Sequence, residues 1–130
     1  MGHHSIRRAV CEPDPLILDE RFVAAEVRGR GITLLSACSH AGVVNASLAA
    51  AEMFAGPPID LVLGGFHLAG AAMEQRIAAT VRDLVERTRP NLVAPGHCTG
   101  WRAKAQLSQA FAPGRYAPSV VGSAYRLEAE

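Results

Sequence analysis

The chain has 130 residues, 49% of them hydrophobic and 19% charged, and 13 Lys and Arg against 12 Asp and Glu leave a net charge of +1. That length suits one domain with a buried core and no disulfide staples, and the near-neutral balance offers no basic stripe, so nucleic acid is not an expected partner. Apolar stretches are interrupted before the roughly 18 residues of a membrane span and no apolar leader precedes them, so a cytoplasmic protein without a membrane partner is expected.

Residues 1–15 read as an extended lead-in, because Pro13 and Pro15 exclude a helix there. His3 and His4 resemble a tag remnant or a frayed end and are not counted as ligands. Residues 16–130 form the domain proper. Phe22–Val27 and Ile32–Leu35 flank Arg28-Gly29-Arg30-Gly31, the pattern of a β-hairpin. Asn45 or Ser47 is expected to cap a helix through Phe54, ended by Gly56-Pro57-Pro58, after which the chain returns as a strand over Ile59–Leu63. A long amphipathic helix is expected over Ala71–Thr88, with Met73, Ile77, Val81, Leu84 and Val85 on one apolar stripe. Arg89-Pro90 stops it, Asn91–Ala94 forms the next strand, and Thr99 is placed as the cap of a helix over Trp101–Phe111. Val120–Leu127 reads as a closing edge strand. The order β β α β α β α β implies an α/β (α+β) layer arrangement, a mixed sheet with helices on one face.

Three of these strands deliver a histidine into a small-residue loop: Ala37-Cys38-Ser39-His40-Ala41-Gly42, Gly64-Gly65-Phe66-His67-Leu68, and Pro95-Gly96-His97-Cys98-Thr99-Gly100. The histidines lie 27 and 30 residues apart, about one strand, loop and helix unit each, which would bring them to one sheet edge. A lone histidine in a glycine-rich loop is usually a hydrogen-bonded loop residue. Three in equivalent places point instead to a metal site of His40, His67 and His97, since neutral imidazole is a common ligand of divalent ions. Cys11, Cys38 and Cys98 form an odd set without CxxC spacing, read as reduced thiols. The plainest role for Cys38 and Cys98 is as small packed side chains; the other is a cysteine nucleophile activated by His67. Helix starts after Gly42 and Thr99 could also hold an anion, though ordinary capping explains them. No GxSxG elbow, P-loop or GxGxxG is present.

Together with Glu12-Pro13-Asp14-Pro15-Leu16-Ile17-Leu18-Asp19-Glu20, these three loops resemble the metallo-β-lactamase superfamily. Within it, they are most similar to the group named for a dihydropterin-linked ribofuranosylaminobenzene phosphate synthase. The resemblance covers about Glu12–Leu127 and implies half of an αβ/βα sandwich, because the superfamily's HxHxDH motif does not occur before His40. It further implies a metal-dependent hydrolase using water activated by a divalent metal, zinc with manganese or iron as alternatives. By resemblance His40 and His97 would each complete a metal site. His67, near where relatives place a bridging aspartate, would bind one metal or act on substrate as a catalytic residue. The expected partners are a small-molecule substrate and either a second copy of the chain or a complementary N-terminal half, without which the chain alone would be inactive. The alternative function is a non-catalytic half-domain that binds metal or a partner chain; the cysteine-nucleophile enzyme is third.

Overall fold

The computed structural model describes residue 17 and residues 20–130, so the lead-in expected over 1–15 lies outside the described residues. Four strands, β1 (Phe22–Val27), β2 (Gly31–Ser36), β3 (Ile59–Gly64) and β4 (Leu92–Pro95), form one sheet in the order β1-β2-β3-β4. The hairpin is antiparallel, with Ala24 opposite Leu34, while β2 with β3 and β3 with β4 run parallel. The fold is therefore the expected mixed sheet with helices. Parallel neighbours require crossover connections, and helical segments supply both.

The period of two along each strand decides which face meets the helices. Leu34, Val62 and Val93 lie side by side across β2, β3 and β4, and all three are fully buried. Phe22 and Ala24 of β1 extend that face. The other face carries Val23 and Leu35, directly paired and 63% and 42% exposed. Against the buried face α1 (Val43–Met53) presents Val43, Ala46, Ser47 and Ala50, the spacing of one helical stripe. Small alanines there let the helix axis come close to the sheet.

Helix α1 starts on Gly42 (φ 99) with no side-chain cap. Neither expected cap serves: Asn45 Nδ2 donates back to the Ala41 carbonyl, and Ser47 Oγ donates to the Val43 carbonyl one turn earlier. The helix expected over Ala71–Thr88 is divided into α2 (Ala71–Glu74), α3 (Ile77–Asp83) and a π-helical turn over Leu84–Thr88. The break follows Glu74, where Arg76 N closes a tight turn on the Met73 carbonyl. The π turn closes with Arg89 N on the Leu84 carbonyl. This wider turn brings Leu84 and Thr88 inward and leaves Val85 41% exposed, correcting its place on the stripe. The final helix, α4 (Trp101–Ala110), packs Ala103 and Leu107 into the same core.

The closing strand expected over Val120–Leu127 does not form. Residues 115–119 take the edge instead, through Val93 N to the Arg115 carbonyl, Ala117 N to the Val93 carbonyl and Ser119 N to the Pro95 carbonyl. Beyond them the chain turns at Gly122 (φ 90), with Ser123 N bonded to the Val120 carbonyl, which takes it off the ladder. Among the described residues, no helix is long and apolar enough to cross a membrane.

Candidate functional site

The carboxyl ends of β2, β3 and β4 lie side by side in the sheet, so the loops that follow them meet at one edge. Backbone hydrogen bonds brace those loops together. Gly96 N donates to the Gly64 carbonyl at 2.6 Å, and Leu68 N and Ala69 N both donate to the Cys98 carbonyl at 3.1 Å. Phe66 N donates to Thr99 Oγ1, so Thr99 is fully buried as a loop tie and Gly100 holds the cap position assigned to it from the sequence. The third loop is held by a buried Ser36–Ser39 hydroxyl pair at 2.6 Å and by Ala41 N donating to Glu20 Oε2 at 2.8 Å.

Two non-glycine residues at this edge, Ser39 (φ 57) and His67 (φ 50), adopt the left-handed region. Side chains there usually cost free energy, so the surrounding hydrogen bonds must hold them. The consequence at His67 is specific: its Nδ1 lies 3.5 Å from Cys38 Sγ, and its backbone N–H donates to Cys98 Sγ at 3.2 Å. The two sulfurs are 3.2 Å apart, and both thiols are free. His40 meets His67 edge to face, ring centroids 4.5 Å apart.

The structure thus gathers His40, His67 and His97 at one edge, but through sulfur. Donor atoms within 4.8 Å of one another fall into two groups sharing Cys38: Cys38 with His40 and His67, and Cys38 with His97 and Cys98. Sequence reasoning treated the cysteines as packing or as a nucleophile, and their places beside the histidines were the signal for a donor role. Burial, then the Cys98 hydrogen bond and nearby charge, push the Cys38 thiol up to about 11. A thiol held neutral gives no support to the nucleophile reading for Cys38.

The donor set fits a divalent transition metal. Imidazole and thiol suit borderline-soft ions, and neither group contains a carboxylate. Gly65 is shaped to this cluster, since a Cβ there would lie 2.6 Å from both Cys98 Sγ and the His97 ring. Next to His40 and His67 opens a cavity of about 380 Å³, lined also by Phe66, Met73, Arg76 and Arg87. Arg87 is paired with Asp83.

Fold and site together define a mixed α+β domain with a thiol–imidazole cluster at the carboxyl ends of its parallel strands, beside a cavity. Comparison with curated proteins finds a 7,8-dihydropterin-6-methyl-4-(β-D-ribofuranosyl)-aminobenzene-5'-phosphate synthase of Methanocaldococcus jannaschii, 30% identical over 94 residues, 72% of this chain and 31% of the synthase. An uncharacterised protein of the same organism is 33% identical over 91 residues, 70% of this chain and 31% of its own. The chain spans about a third of the length of these curated relatives. No family model matches it.

These findings correct the functional expectation. The named relative is a synthase by name, not a hydrolase, and nothing found supports membership of the metallo-β-lactamase superfamily. What stands is similarity to a protein named as a synthase; the hydrolase and metallo-β-lactamase readings fall. The two rivals, a non-catalytic half-domain and a cysteine-nucleophile enzyme, gain nothing from the same relative.

Proposed function

We propose that this chain carries the reaction centre of a synthase acting on phosphorylated aromatic compounds of the class in its relative's name, with a divalent metal ion as cofactor. The observation that carries the reading is the donor group Cys38, His40 and His67, within 4.8 Å of one another, two of which, His40 and His67, line the cavity of about 380 Å³. That volume falls in the range of small-molecule sites, roughly 300–1,000 Å³. Similarity to the synthase supports the reaction class.

In this reading Cys38, His40 and His67 hold the ion, with Cys98 and His97 as the neighbouring donors. Such an ion polarises an oxygen or nitrogen of the substrate when bound. The chain's own residues do the rest. Arg76, on the cavity wall, supplies positive charge for a phosphate, and Phe66 and Met73 offer apolar surface to an aromatic ring. His67 lines the same cavity, and its left-handed backbone conformation (φ 50) aims its ring at the cluster. The compartment that suits two adjacent free thiols is the reducing cytoplasm.

Metal content of the purified chain after dialysis against zinc, manganese or iron, beside a His40→Ala, His67→Ala double variant, tests the reading. Retention of about one ion per chain, lost in the variant, is the expected result. Equal, trace metal in both proteins would overturn it. A thermal shift with ribose 5-phosphate, absent in Arg76→Ala, is expected for the phosphate subsite.

A further inference from the structure

We propose that Cys38 and Cys98 are a redox couple that closes to an intramolecular disulfide when the protein meets a peroxide. The two sulfurs, 60 positions apart in the chain, stand 3.2 Å from each other with both thiols free. A disulfide needs about 2.05 Å, so closure takes a shift of roughly an ångström. The loops allow it: Cys98 sits in a single 3-10 turn, His97–Thr99, between Gly96 and Gly100, and Cys38 lies in the irregular segment that follows β2. Both cysteine residues are half-buried rather than sealed within the core.

The chemistry balances with the peroxide as oxidant. The Cys98 sulfur, as thiolate, attacks a peroxide oxygen, the O–O bond breaks, and the departing hydroxide takes a proton to leave as water, with a sulfenic acid behind on Cys98. The second sulfur attacks that sulfenic sulfur; the S–S bond forms and the hydroxyl leaves with the second thiol's proton as another water. Two electrons pass from the sulfur pair to the peroxide. The His67 N–H on Cys98 Sγ stabilises developing negative charge on that atom. A dithiol reductant reverses the reaction.

Closure would remove Cys38, the donor common to both groups, so oxidation would empty the metal site. This consequence alone rests on the metal reading above.

The test uses the full chain with Cys11→Ala, which removes the third cysteine, alongside the unaltered chain, both freed of metal. After brief exposure to hydrogen peroxide, the expected result is a mass lower by about 2 Da, complete loss of free thiols in the Cys11→Ala chain, a cross-linked Cys38–Cys98 peptide, and full recovery with dithiothreitol. Closure should also be several-fold slower in urea, where the fold no longer holds the sulfurs together. Separate oxidation of each sulfur to sulfinic acid, a gain of about 32 Da apiece, would overturn the couple, as would unchanged thiols. A repeat with excess zinc separates the two ideas: closure slowed by zinc upholds the metal consequence, whereas unaltered closure counts against metal binding and leaves the couple standing.

Discussion

Gly65 is the residue whose side chain, or lack of one, most directly shapes the cluster. A methyl group there meets the ends of two movable side chains, His97 and Cys98, rather than backbone. Gly65→Ala should therefore fold with nearly native stability while displacing both donors, weakening metal affinity about ten-fold or more, as competition with a chromophoric chelator would measure. Gly64 makes a contrast: at φ 139 its Cβ would run into the Ser36 carbonyl oxygen across the sheet, so the same substitution one residue earlier should damage the fold itself. Cys38 supplies a pH prediction for the metal-free protein. Its folded value near 11 lies above the ordinary 9.0, with burial the chief cause, so the fold favours the neutral thiol. The linked stability is complete below pH 9 and lost as pH rises through about 11. Alkylation of Cys38 by iodoacetamide should be slow at pH 8 and rise steeply above pH 10, and a fast reaction at pH 8 would contradict that environment.

At the scale of elements, the end of α1 carries a testable strain. Ala55 follows the helix at φ 58, in the left-handed region, and Gly56 N returns to the Ala51 carbonyl to close the turn. Ala55 is exposed, so its methyl group contributes little packing. Ala55→Gly should stabilise the protein by about 0.5–1 kcal/mol, measured by urea unfolding, and a loss of stability would contradict the strain argument. Elements were also where the sequence was most and least informative. The hairpin was legible because alternation and a glycine-containing turn agree locally, and β3 and β4 because short apolar runs end in glycine loops. Asn45, Ser47 and Thr99 are all good caps by residue type, yet each bonds elsewhere, since the neighbouring glycines take the cap positions. Residue type gives capacity, and tertiary context chooses the partner. The break after Glu74 had no proline or glycine to announce it, and Glu74 is held instead by Arg102 of α4, a contact that no local pattern encodes.

For the whole molecule, the core lies on one side of the sheet, where α1, α3 and α4 converge on Leu34, Val62 and Val93. Leu34 is fully buried at the centre of that layer, so Leu34→Ala should cost about 2–5 kcal/mol in urea unfolding, and a cost under 1 kcal/mol would contradict the placement. The same layer explains what the sequence could say about the site. Three histidine loops after three strands were visible as a pattern, and convergence followed from parallel pairing. That the cluster closes through sulfur was not visible, because Cys38 and Cys98 are brought together only by the register of β2, β3 and β4 and by the backbone ties among their loops.

Thiolate ligation is the part of the proposed metal site that separates this cluster from an ordinary group of loop histidines. Titration of the reduced, metal-free chain with cobalt(II), followed by absorption, reads it directly. The account predicts an intense thiolate-to-cobalt charge-transfer band that saturates at about one ion per chain and disappears in Cys38→Ser. A spectrum that stays that of aqueous cobalt, with no such band at any ratio of ion to protein, would contradict it.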